Sequence, residues 1–302
     1  MTAGTWHTFW HAFWHACAAV ARGSLLGWLA VAFLGPAAAG ARPVRPLFEP
    51  TDLEMEEAGV TEVDLQLGAV RGPTGNPWRA VLPDFELDLG LLPNLELDLD
   101  GAYAIEGPDV GPFSFDHAAP DSLFPSLKIG LFDRDLPRGG ERSPGPAAGR
   151  HAALAGGVQL GPKLPVASKA HGVGIEGLAL VGLATHTLHL ALNLGGFVDP
   201  APDATSGRPK GLEAGLDLEL GLGGGDLLSL TGELSAVHFL SSDPEQLLAT
   251  LGLTWSVTQT LDLSIVGLVG FMSGSDRHGI LLGISPKWRL FGTPPPPSPS
   301  DT

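Results

Sequence analysis

The feature that most constrains this chain is a strict two-residue alternation. Asp84 to Leu89 reads DFELDL and Asn94 to Asp100 reads NLELDLD, with Leu or Phe at every second place and mostly Asp or Glu between. A helix would scatter those acids around its circumference. A strand, whose side chains point to opposite faces in turn, collects them on one. The pattern recurs in about twelve segments: 61–70, 81–91, 94–106, 122–133, 152–162, 172–184, 187–199, 210–222, 226–240, 246–257, 261–272 and 278–290. Most run to roughly 10–13 residues, against ~5–6 for soluble strands and roughly 9–11 for a tilted strand crossing a bilayer. The predicted fold is all-β: a transmembrane antiparallel up-and-down β-barrel of about twelve strands spanning 61–291.

Charge is sorted between the two faces. The apolar register, which includes Leu65, Leu67, Leu87, Leu97, Leu131, Leu160, Leu192, Leu194, Leu253, Ile265 and Leu282, holds no Asp, Glu, Lys or Arg. The other register carries Asp64, Glu86, Asp88, Glu96, Asp98, Asp100, Lys128, Glu213, Asp217, Glu219, Glu233, Asp262, Lys287 and Arg289. An Arg or Lys facing lipid at mid-bilayer costs about 2–4 kcal/mol, so a lipid-facing Leu register explains the sorting. The charged register is then expected to line a lumen, and rings of carboxylates favour cations in a pore.

Composition agrees with this reading and excludes others. The chain is 44% hydrophobic with a mean hydropathy of +0.18, yet no stretch beyond the N-terminal region approaches the length of a membrane helix. Its apolar content is spread over alternate residues, where a hydropathy window does not see it. A formal net charge of −16 argues against nucleic acid as a partner, since phosphate requires a basic footprint.

Residues 1–41 are expected to be an export signal. Arg22 is the positive start, Ser24 to Leu34 the apolar core, and Ala37-Ala38-Ala39 or Ala39-Gly40-Ala41 the small-residue cleavage site. The nineteen residues before Val20 read as a mis-called start. His7, His11 and His15 would share one helical face, but a metal site there is the weaker reading, and no metal or cofactor is expected. Cys17, the single cysteine, leaves with this segment, so no disulfide is expected in the mature chain. Residues 42–60 form a periplasmic lead-in, and 292–302, GTPPPPSPSDT, a disordered Pro-rich tail.

Connections alternate between tight turns and longer links, apart from 134–151, which is long where a short turn is expected. That alternation is the rim pattern of an up-and-down outer-membrane barrel, and an even strand count puts both termini on the periplasmic side. In this orientation Trp255 and Trp288 fall near the inner rim, and Phe85, Tyr103 and Phe271 toward the outer one, as candidate girdle residues.

Three segments carry a family likeness: PSLKIGL at 125–131, GPKLP at 161–165 and THTLHLALNLGGF at 185–197. With the export signal and the Leu-rich hairpins, they resemble the bacterial outer-membrane barrel family named after the MetA pathway of phenol degradation. The resemblance covers about 61–291 and implies a channel or transporter with no assigned catalytic site. Two features depart from it: the chain has a single Tyr, and Phe291 lies one residue off the Leu290 register.

Catalytic constellations are weak by comparison. His238 lies near Ser241 and Ser242 but has no evident orienting partner in the sequence. Glu86 with Asp88 has the form of a glycosidase pair but belongs to the repeating alternation. GLGGGD at 221–226 lies between strands and reads as a hairpin turn, not a phosphate loop. The expected function is passage of small solutes, cationic or apolar, through an acid-lined lumen in the bacterial outer membrane. The chain is expected to contact outer-membrane lipid and to depend on the barrel-assembly machinery during biogenesis. The alternatives are a non-conducting structural or binding barrel, and a secreted soluble β-sandwich with the Leu face as its core.

Overall fold

The computed structural model describes residues 55–72, 78–105, 123–135, 152–165, 170–185, 187–201, 204–222, 227–258 and 260–292. The export signal, the upstream histidines, the lead-in before 55, the links 107–121 and 136–151, and the tail from 293 lie outside the described residues. Every regular element described is a strand: β1 (Val60–Arg71), β2 (Trp78–Leu92), β3 (Leu95–Ile105), β4 (Leu123–Asp135), β5 (Ala153–Lys163), β6 (Gly174–Ala184), β7 (Leu188–Val198), β8 (Lys210–Gly221), β9 (Leu228–Phe239), β10 (Gln246–Thr258), β11 (Leu261–Gly270) and β12 (His278–Arg289). Each pairs antiparallel with its neighbours in the sequence, and β1 pairs with β12 to close the barrel. The soluble two-sheet sandwich is thereby excluded.

The alternation read from the sequence is the alternation of the wall. Leu97, Leu131, Leu160, Leu192, Leu194, Leu253, Ile265, Leu282 and Ile284 are exposed on the outside. Asp64, Glu96, Asp98, Lys128, Glu176 and Asp217 are buried inside. The molecule is thus inverted relative to a water-soluble fold, in which Lys, Glu and Asp are almost never fully buried.

The start of β1 and the end of β12 lie on one rim, here the terminal rim, together with the tight turns. At Pro93–Asn94 the chain reverses between β2 and β3. Between β6 and β7 the Thr185 hydroxyl accepts the Leu188 amide at 3.0 Å. The Thr260 amide donates to the Thr258 hydroxyl between β10 and β11. At the far rim, the β11–β12 link is pinned by Ser275, whose hydroxyl accepts the Leu247 amide at 2.8 Å and donates to the Leu247 carbonyl at 2.9 Å.

The end of the lead-in, Met55 to Gly59, is ordered within the terminal mouth. Gly59 turns it into β1 with a φ of 84°, and the Leu290 amide donates to its carbonyl at 2.7 Å. The segment then lies against the inner face of β2 where Gly90 leaves room. A Cβ at Gly90 would strike the carbonyl oxygens of both Glu56 and Glu57. Backbone cannot yield there as a side-chain tip could. Gly90→Val is therefore expected to unseat the lead-in while leaving the barrel closed. Limited digestion with a Glu-specific protease should cleave at Glu56 or Glu57 faster in the folded variant than in the parent.

Candidate functional site

The interior is built on the inward register, and its acids fall into two chemically different sets. On β1, β2 and β3 the cross-strand pairs bring like charges face to face: Glu62 opposite Asp88 opposite Asp98, and Asp64 opposite Glu86 opposite Asp100. Directly opposed like charges destabilise a sheet, so compensation from other strands is required. Lys128 of β4 pairs with Glu96 at 2.9 Å, both side chains being buried. Gln159 of β5 donates to Asp98 Oδ2 and to the Ser126 hydroxyl, each at 2.8 Å, and Ser126 donates to the same Oδ2 at 3.3 Å. Lys287 of β12 sits 2.7 Å from Glu56 and 2.8 Å from Glu62. Arg289 donates to the Ala58 carbonyl at 3.0 Å and pairs with Glu57. The Glu56 amide donates to Glu96, tying the lead-in to the same network. These acids form a packed wall.

The second set faces open space. Across the lumen, a cavity of ≈ 270 Å³ near the terminal rim is lined by Ala153, Ala155, Ala184, His189, Asp217 and Glu219, among others. His189 and Glu219 lie 3.8 Å apart, and both side chains are more than 40% exposed. Asp217 is buried and accepts a hydrogen bond from Asn193 at 3.1 Å. The space exists because β5 and β6 place Ala and Gly on the inward register where β1–β3 place acids. Of the remaining predicted residues, Glu233 stands opposite Asp217, Glu213 between Gly195 and Val237, and Asp262 between Ser256 and Ser285.

The far half of the interior departs from a uniformly acid-lined lumen. Val70, Val81, Leu248, Val266, Leu268 and Leu281 form a buried apolar cluster on the inward faces of β1, β2 and β10–β12. On the other side Phe197 meets Phe239 edge-on at 5.8 Å. Lys163 lies 5.3 Å over the Phe197 ring and pairs with Glu176 at 2.7 Å and Asp199 at 2.9 Å. This buried triad is absent from the sequence-derived site. Glu176 falls within the expected strand 172–184, but Lys163 lies one residue beyond the expected segment 152–162, and their pairing depends on the β5–β6 register, in which Lys163 faces Gly174 and Glu176 faces Gly161.

His238, which lacks an orienting partner in the sequence, acquires one in the structure: its Nδ1 lies 2.8 Å from Glu245. Burial pushes the Glu245 carboxyl above its usual range, opposed by its contact with His238. Ser241, the neighbouring hydroxyl, donates instead to Asp243 at 2.6 Å.

Of the candidate girdle residues, Trp255 and Trp288 are exposed on the outside toward the terminal rim, and Phe271 toward the far rim. Phe85 sits near mid-wall, opposite Leu65 and Gly101, with its ring over Gly101, rather than toward the outer rim. Tyr103 falls within β3, and its side chain lies outside the described residues.

No protein-family model and no curated protein sequence matches the chain. Among solved structures, it is similar to an outer membrane channel from Pseudomonas putida F1, with 12% identity over 81% of this chain and 100% of that one, at a TM-score of 0.51. Similarity also extends to the NanC porin (8% identity, 74% of this chain, 98% of that one, TM-score 0.49) and the KdgM porin (10%, 74%, 98%, 0.44). At these identities the first likeness establishes a shared barrel fold.

Removing one partner of a buried ion pair leaves an uncompensated charge, at a cost of about 3–5 kcal/mol. Lys128→Met is expected to destabilise the barrel by about that amount, and the Lys128→Met/Glu96→Gln double variant by clearly less. Urea unfolding of the refolded protein, followed by tryptophan fluorescence, measures both.

Proposed function

We propose that this protein is a bacterial outer-membrane barrel for passage of small solutes, of the group named after the MetA pathway of phenol degradation. The observation that carries the reading is the inversion of the wall, with an apolar belt exposed outside and charged side chains buried inside. A closed barrel satisfies every ladder hydrogen bond internally, which lipid demands. Trp255, Trp288 and Phe271 then serve as girdle residues, the exterior contacts outer-membrane lipid, and insertion depends on the barrel-assembly machinery. The name of the Pseudomonas putida channel accords with this assignment.

Within the lumen the solute path follows the β5–β9 side. There the register offers small side chains and water-facing Glu219 and His189, whereas Glu96, Asp98 and Glu62 of β1–β3 are committed to Lys128, Gln159 and Lys287. Solutes are small, cationic or apolar. A non-conducting binding barrel is the second reading, favoured by the apolar cluster around Leu268 and Leu281 in the far half.

Two measurements test these assignments. Leu282→Arg, opposite Leu67 and Ile265 on the outer wall, is expected to cost about 2–4 kcal/mol in lipid vesicles, and Leu290→Arg beside the terminal rim about 0–1 kcal/mol. Equal costs at the two positions would remove the bilayer assignment. In planar bilayers the refolded protein is expected to conduct with a preference for cations. Asp217→Asn with Glu219→Gln should reduce that preference more than Asp88→Asn with Asp98→Asn. Absence of conductance from correctly refolded protein would select the binding barrel.

A further inference from the structure

Where Asp88 faces Asp98 across the β2–β3 ladder, the compensation described above is incomplete. Glu86, Asp88 and Asp98 each present a carboxylate oxygen, and these three oxygens lie within 4.8 Å of one another. Asp98 is 0% exposed. Its Oδ2 is held from the β4–β5 side by Ser126 and Gln159, while its Oδ1 is buried without a hydrogen-bond donor. Asp88, which faces Asp98 across the β2–β3 ladder, also carries a buried oxygen with no donor, Oδ1. A buried carboxylate oxygen without a donor costs a good part of its desolvation energy. Two such oxygens on directly opposed residues compound that cost with mutual repulsion. Lys128 is engaged by Glu96 and Lys287 by Glu56 and Glu62.

We propose that Glu86, Asp88 and Asp98 bind a hard divalent cation that bridges β2 and β3. The donor set is all oxygen and anionic, which selects hard cations over zinc or copper. Calcium accepts oxygen ligands in flexible geometry and suits carboxylates held on two strands. The ion would bring positive charge to the crowded carboxylates and a partner to the two oxygens without donors. The site stands whether the lumen conducts or not.

The test uses the full chain, refolded in detergent micelles, stripped with EDTA and titrated with calcium chloride by calorimetry. One calcium per barrel is expected, together with a rise in the thermal unfolding midpoint, because the ion binds the folded state. Asp98→Asn should weaken binding by about tenfold or more and abolish the rise, while Asp243→Asn, a loop acid, should leave both unchanged. Should Asp98→Asn fail to refold, judged by loss of heat-modifiable migration in SDS gels, Glu86→Gln replaces it. A proton shared between Asp88 and Asp98 is the competing way to relieve the repulsion. It would be indicated, and the cation site overturned, if the folded parent binds no calcium, or if folded Asp98→Asn or Glu86→Gln binds it as tightly as the parent.

Discussion

The structure depends on the pairing of β1 with β12. Ten residue pairs, from Val60 with Arg289 to Arg71 with His278, join the first strand to the last. Without that seam the sheet would have two edges of unpaired amides and carbonyls, which a hydrocarbon surrounding cannot satisfy. With it, the backbone is self-sufficient and the exterior is free to be apolar. The seam is reinforced where the chain enters it. Gly59 adopts the left-handed conformation that turns the lead-in into β1, and its carbonyl accepts the Leu290 amide. Lys287 and Arg289, both on β12, hold Glu56 and Glu57 from the other side. Closure of the barrel and seating of the lead-in are thus one structural event.

Closure also explains the distribution of charge. An inward side chain in a barrel has neighbours on its own wall and across the lumen, so polar groups can be satisfied in layers that a flat sheet does not offer. Asp98 of β3 reaches a donor on β4, its ladder partner Ser126, and another on β5, Gln159, one strand further. Glu96 is held by Lys128 of β4 and by the lead-in. A row of acids that would repel one another on an open sheet is tolerated because the curved wall brings other strands within reach.

Fold and site were legible in the sequence to different depths. The twelve strands and their inward and outward faces followed from Leu and Asp at alternate positions, because that period is a direct consequence of strand geometry. The weakest boundary was the start of β2. The segment read from the sequence begins at 81, whereas the strand begins at Trp78, and the ladder with β3 shifts register between Val81 and Asp84. Beta-bulges erase the two-residue period, and a proline within a strand often accompanies one. The division of the lumen was less legible. Parity places Asp98 and Asp217 both inside, but says nothing of Gln159 lying beside one and Asn193 beside the other. In β6, Leu178 and Leu180 are buried inside while Val181 is exposed outside; with apolar residues on both faces, no alternation marks which is which. The inward apolar cluster was hidden for the same reason.

The two halves of the interior impose different demands on anything that enters. Near the terminal rim the side chains that meet water are His189 and Glu219, across a cavity whose width is set by Ala153, Ala155 and Ala184. Toward the far rim, Val70, Val266, Leu268 and Leu281 present an apolar surface on one side, and the Phe197–Phe239 pair presents another beside the Lys163 triad. A hydrated ion gains little from the far half, and a wholly apolar molecule gains little from the terminal half. A solute with one charged or strongly polar end and an apolar body is matched by both. On the proposed channel reading, selectivity lies in the sequence of environments along the axis, rather than in a single ring of charge.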